Sequence, residues 1–295
     1  MPGRRIVNMD QAQRALADFL RSRRSLLRPE DVGLEPGGNR KVTGLRREEL
    51  ALLAGVSTDY YQRMEQGRDV RPSDEVLDAV ARALALSAAE TRHLHRLARA
   101  ARRPGPSARP RPRPPERVPE GTRRLLRALH TPAVVVGRHL DVLAWNPLAA
   151  AVVADLDDPD TERNALLALF RDPAARERCP QWRDLALDYI GMLRAAVAAD
   201  PDHPRAVSLV GELSVHSADF RELWTRHDVR ETSQGAKTFV HPQVGEITLD
   251  WDTYPLPGSP GPLLVVYTAA PGSPDAERLA LLASLRATRF AVTHR

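Results

Sequence analysis

Cysteine occurs once in the 295 residues, at Cys179, so no intrachain disulfide can form and a disulfide-stapled secreted scaffold is excluded. No stretch approaches the ~20 consecutive apolar residues of a membrane-spanning helix. The first residues, MPGRRIVNMD, lack the apolar core of a signal peptide. Together these absences point to a soluble, cytoplasmic protein with no membrane segment. Lysine is nearly absent too, with only Lys41 and Lys237, so arginine carries almost all of the positive charge. Catalytic signatures are missing: there is no Gly-rich phosphate loop and no HExxH. Cys179 lies in RERCPQW with no base at a recognisable spacing, and the pair His227-Asp228 suggests no complete dyad. The acidic residues Asp155, Asp157, Asp158 and Asp160 lack the glycine and terminal glutamate of a calcium loop. The chain reads as non-enzymatic, with no metal site and no cofactor.

What is present is divided in two. The length suits two domains, and charge separates them. Residues 1–120 hold 24 basic and 16 acidic residues, whereas residues 121–295 hold 19 and 22. A phosphate-binding domain joined to a domain that does not touch nucleic acid has this asymmetry.

The basic half contains TGLRREELALLAGVSTDYYQRMEQGRDVR, Thr43 to Arg71. Its spacing predicts a helix with Leu50, Leu53 and Ala54 on one face and Arg46, Arg47, Glu48 and Glu49 at its exposed start. Gly55 stops that helix by taking the left-handed conformation, and Val56 plugs the angle between two helices. Ser57 caps the second helix, from which Tyr61 and Met64 turn inward. Thr58, Asp59, Gln62 and Arg63 remain outward as groups able to hydrogen-bond base edges, the pattern of a recognition helix in a DNA major groove. Around this hairpin, residues 1–9 read as a basic tail and a first helix starts at Asp10. Pro29 to Thr43 is a Gly/Pro-rich loop whose Arg40 and Lys41 either reach phosphate or form a solvated tip. Further helices are expected over Ser73 to Leu86 and Ala88 to Arg102. His93 and His95, two residues apart, point to different sides and do not make a metal pair.

Residues 103–119, RPGPSARPRPRPPERVP, form a stiff Pro/Arg-rich linker. It reads as a spacer in preference to a segment lying along DNA. Beyond it a short helix, Gly121 to Leu129, precedes a hairpin of AVVVG and LDVLAW. Asn146-Pro147 then caps a helix. Helices follow over Ala165 to Phe170, Trp182 to Ala199 and Pro204 to Leu213, with another starting at Phe220 to Trp224. The period then changes to that of strands over Thr238 to Val240, Glu246 to Tyr254 and Leu263 to Ala269. Ile247, Leu249 and Trp251 alternate with polar residues, so one sheet face is buried. A last helix runs from Ser273 to about Leu285. This order of elements is that of a PAS-like sensory module.

The segment LRREELALLAGVSTDYYQRMEQGR resembles the helix-turn-helix of the lambda-repressor-like XRE family, over roughly Leu16 to Leu97. VGRHLDVLAWNPLAAAV, RNALLALFRDP, LVGELSVHSADFRELWTRHDVR, GAKTFVHPQVGEITLDWDTYPLPG and LVVYTAAPGSPDAERLALL resemble the ligand-binding domain of MmyB-like transcription regulators. The resemblance implies an all-α lambda-repressor-like helix-turn-helix domain over 10–102, followed by an α+β PAS-like domain with an antiparallel sheet over 120–295. It implies that Thr58, Asp59 and Arg63 face bases and that Arg46, Arg47, Arg68 and Arg71 meet DNA phosphates. It also implies that the second domain holds an apolar small molecule, for which a fatty acid is one example. Aromatics available to line that pocket are Trp145, Phe170, Tyr189, Trp224, Phe239, Trp251 and Tyr267, or they are simply core. Arg226, His227 and Arg230 would meet a ligand carboxylate or else pair with Asp228 and Glu231. Since one recognition helix reads few bases, the chain is expected to bind double-stranded DNA as a homodimer. The alternative is that the second domain is a protein-interaction or dimerisation module without a small-molecule ligand.

Overall fold

The computed structural model describes residues 11–35, 42–68, 71–102, 116–201, 203–226, 233–256 and 261–293. The expected tail at residues 1–9, the loop residues Arg40 and Lys41, most of the linker, and His227 to Glu231 lie outside them. Two compact units emerge. The first is Met1–Arg111 with Arg194–Val207 and Glu222–Arg230; the second is Pro112–Leu193 with Ser208–Arg221 and Glu231–Arg295.

The described residues up to 102 form the helices α1 (Gln11–Leu26), α2 (Arg47–Leu53), α3 (Thr58–Glu65), α4 (Asp74–Ala83) and α5 (Ala88–Ala101), with a short 3-10 turn at Pro29–Val32. Sequence-local chemistry starts three of them. The hydroxyls of Ser57, Ser73 and Ser87 accept from the backbone N–H of Tyr60, Val76 and Glu90, each satisfying one of the free donors at a helix start. The core beneath is Phe19, Leu20, Leu45, Leu50, Tyr61, Met64, Leu77, Val80 and Leu94, all fully buried. His93 is buried with it, edge-on to Phe19 at 5.1 Å between ring centroids. His95 lies partly exposed, 2.8 Å from Asp78. One expectation needs correcting. Leu53 is 39% exposed, and Ala51 at 1% takes the inward position. Leu50, Ala51 and Ala54 form the i, i+1, i+4 stripe that meets the core, while Leu53 falls at its edge.

The second half alternates helices and strands: α6 (Glu120–Ala128), β1 (Ala133–Val136), β2 (Val142–Trp145), α7 (Pro147–Val152), α8 (Ala165–Arg171), α9 (Pro173–Glu177), α10 (Trp182–Ala199), α11 (Pro204–His216), α12 (Ala218–Thr225), β3 (Gln234–His241), β4 (Gly245–Pro255), β5 (Leu263–Thr268) and α13 (Pro274–Thr293). The strands make one antiparallel sheet of order β2-β1-β5-β4-β3, the α+β, PAS-like arrangement expected from the order of elements. Asn146 ties the β1–β2 hairpin to α7. Its amide oxygen accepts from Ala133 N at 3.1 Å and Ala149 N at 2.9 Å, and its amide nitrogen donates to Thr131 O at 2.7 Å. Asn164 does the same for α8, capping Leu166 and Leu167 while donating to His139 O at 2.8 Å.

The end of the expected linker belongs to this second core. Val118 is buried and Glu116 accepts from Arg138 Nε at 2.6 Å, because a proline-rich segment with an apolar residue can still pack once a partner charge holds it. No helix among the described residues is long and apolar enough to cross a membrane.

Candidate functional site

The helix-turn-helix is built on two backbone requirements. Gly55 adopts φ 67° between α2 and α3, a left-handed conformation that a side chain resists. Gly44 leads into α2 so close to α1 that a Cβ there would run into the Ser25 carbonyl. Both positions bring α2 and α3 to a fixed angle on α1.

What holds α3 in place is a buried acid. Glu65, its last residue, is 0% exposed. Arg24 from α1 donates to one carboxylate oxygen through Nε at 3.2 Å and through its terminal nitrogen at 2.6 Å. Arg47 from α2 donates Nε to the other oxygen at 2.6 Å. Arg24 also donates to Leu45 O at 2.6 Å, and Arg21 reaches the Glu65 carbonyl at 3.3 Å. One carboxylate therefore joins all three helices of the reading module. Burying a charge is tolerated only where it is paired and hydrogen-bonded, and here both oxygens are.

Thr58, Asp59, Gln62 and Arg63 all lie on the exposed side of α3, opposite Tyr61 and Met64. Arg46 is exposed at the start of α2, and Arg68 and Arg71 are exposed beyond the end of α3. Arg47 is 42% exposed while paired to Glu65 through Nε, and two arginines against one carboxylate leave the cluster with a positive balance. Asp59 at the start of α3 is favourably placed against the helix dipole.

In the second unit the helices α8 and α10 pack over the sheet and leave small chambers. One, of 70 Å³, is walled by Leu185, Asp188, Tyr189 and Met192 of α10, with Val136, Lys237, Trp251 and Tyr267 of the sheet. The α10 residues follow one another at i, i+3, i+4 and i+7, a single helical face. Leu140, held at φ 66°, also lines this chamber. A second, of 80 Å³, shares Ala165, Leu185, Tyr189 and Lys237 with the first and adds Phe239, Cys179 and Arg178. A wider cleft of 330 Å³ shares Ala154 and Arg178 with the second chamber and is bounded by His241, Leu282 and Arg286. Burial pushes the Tyr267 hydroxyl up to about 12, and it raises the Tyr189 hydroxyl and the Cys179 thiol as well. These groups are neutral at neutral pH. A buried, protonated Cys179 is also poorly suited to nucleophilic work.

Of the aromatics expected to line a pocket, Tyr189, Phe239, Trp251 and Tyr267 lie at these chambers, and three others do not. Trp145 is on the edge strand β2, where its indole donates to Asp157 at 2.8 Å beneath Arg163. Phe170 is consumed in the core, edge-on to Phe220 at 5.4 Å. Trp224 is stacked by Arg194 at 4.3 Å and, like the exposed Arg226, belongs to the first compact unit. Residues that sequence reasoning passed over are Glu65, Arg178 and Lys237. A signal existed for Lys237, which stands two residues before Phe239 in β3 and so shares its face; its ammonium lies 4.6 Å from the Phe239 ring centre.

A family model described as the MmyB-like transcription regulator ligand binding domain matches residues 118–282, more than half of the chain. A helix-turn-helix domain model matches residues 15–94. No curated protein matches the chain. The five-stranded antiparallel sheet with its chambers falls inside the first match, and most of α1 together with α2 to α4 and the outward face of α3 falls inside the second. The chain belongs to the MmyB-like transcription regulators, a DNA-binding helix-turn-helix protein that carries this family's ligand-binding domain.

Proposed function

We propose that the protein is a homodimeric, sequence-specific regulator in which α3 reads base edges through Thr58, Asp59, Gln62 and Arg63, and in which an apolar molecule with one anionic group, such as a fatty acid, sets the DNA-binding state. The observation that carries the ligand reading is that the two apolar chambers share Ala165, Leu185, Tyr189 and Lys237, and that the second of them shares Ala154 and Arg178 with the cleft. Small-molecule sites run from about 300 to 1,000 Å³ and are apolar with few polar groups. The cleft reaches that range at 330 Å³, and the inner chambers extend it with Leu185, Tyr189, Phe239 and Tyr267. Arg178 is the cation common to the cleft and the second chamber. An apolar chain would lie inward toward Tyr189 with its anionic end at Arg178.

Native mass spectrometry of the full chain tests this. The protein should carry an adduct that denaturing extraction identifies as a single-chain amphiphile, and Ala165→Phe, which fills the wall common to both inner chambers, should lose it while remaining folded. An adduct retained at full occupancy by Ala165→Phe would place the ligand elsewhere. Protein that is consistently empty would favour a second domain used for protein contacts.

A further inference from the structure

The densest positive charge in the chain lies outside the helix-turn-helix. Residues 102–127 hold nine arginines and two acids, a balance of +7, against +5 for the whole chain. Residues 128–295 hold 16 basic and 22 acidic residues. The ligand-binding half is thus acidic except at its beginning, where α6 stands.

Helix α6 presents three of those nine arginines on one side. Arg123, Arg124 and Arg127 are related by i, i+1 and i+4 spacing, so they share a face, and all three are exposed. Arg117, just before the helix, is exposed too. The opposite side is anchored by the buried Leu126, with Thr122 and Leu129 half-buried. Glu120 on the arginine face takes up Arg127 at 2.9 Å, which leaves Arg123 and Arg124 as the exposed charges in excess.

We propose that the Arg123/Arg124 face of α6 is a second phosphate-binding surface, which grips the backbone of the duplex that α3 reads and adds affinity without adding sequence preference. Charge complementarity selects the occupant. An acidic domain tethered to DNA is repelled by the phosphates, and a basic helix at its start opposes that repulsion where the tether begins. Guanidinium groups match phosphate oxygens in a two-pronged geometry. Because α3 already holds the same duplex, the phosphates are presented to α6 at high effective concentration. The inference rests on the DNA-binding assignment.

The test uses the full chain and a duplex that extends well beyond its selected site. In a salt series, Arg123→Gln/Arg124→Gln should lower the slope of log affinity against log salt by about two, since each phosphate contact contributes about 0.9. Affinity should fall alike on the selected and a random duplex, and Arg123→Lys/Arg124→Lys should keep the wild-type slope. An unchanged slope in the glutamine variant overturns the proposal. Loss of binding to phosphatidylglycerol vesicles with an unchanged DNA slope overturns it too and assigns the face to membranes. A wild-type protein that selects no sequence would count against base reading by α3, and the slope on a random duplex would still decide the role of α6.

Discussion

Glu65→Ala is expected to destabilise the N-terminal helical module by about 3–5 kcal/mol, the range for removing one partner of a buried ion pair. The reason is the inequality between the two sides of the site. Glu65 is fully buried and Arg24 is 12% exposed, so loss of the carboxylate strands the Arg24 guanidinium in the interior. Arg47, at 42% exposure, can turn to solvent and contributes less. In a module of this size each 1 kcal/mol lowers the melting temperature by about 4–8 °C, so the helical transition should fall by at least roughly 12 °C. Glu65→Gln preserves shape and one acceptor but still leaves the arginines uncompensated, and it should lie between the wild type and alanine. Thermal melts followed by circular dichroism check this. A loss of under about 1 kcal/mol in Glu65→Ala would mean that the carboxylate is solvated and that packing alone sets the angle of α3.

Arg63→Ala should flatten sequence preference, because a good bidentate contact to a base is worth about 1–3 kcal/mol of discrimination. Arg46→Ala should instead weaken all duplexes alike and lower the salt slope by about one. Arg46 is a cleaner phosphate test than Arg47. Its side chain is exposed at the start of α2, while Arg47 is also a structural partner of Glu65, so Arg47→Ala mixes lost phosphate contact with a loosened α3. Selection from a random duplex pool followed by binding measurements separates the effects. An Arg63→Ala protein that selects the wild-type motif with undiminished discrimination would remove Arg63 from the readers.

Much of this was legible in the sequence wherever the signal was local. Ser57, Ser73 and Asn146 cap the helices that their positions suggested. The alternation in β4 placed Ile247 and Leu249 on the buried face. Failures came from non-local effects or from weak local ones. Glu65 reads as a surface residue because its burial depends on Arg24 and Arg47, 41 and 18 residues away. Helix α9 is only Pro173–Glu177, and its signal, Asp172 capping Ala174 with proline at the first position, is short. Strand β3 begins at Gln234, earlier than its composition suggests, because pairing with β4 carries Gly235 and Ala236 along. Strand order leaves no local trace at all. The chamber wall drew on four of the seven aromatics named for it, since composition says which side chains are large and not which of them the core consumes.

The central claim is that the state of the second unit's cavity controls how α3 binds DNA. The most direct measurement is the dissociation constant for the selected duplex, taken on protein stripped of its adduct and on the same protein reloaded. Coupling between sites typically amounts to about 1–3 kcal/mol, or roughly 5–150-fold in affinity. A shift in that range, absent from Ala165→Phe, is the expected result. Equal affinities for the stripped and reloaded protein would contradict the account.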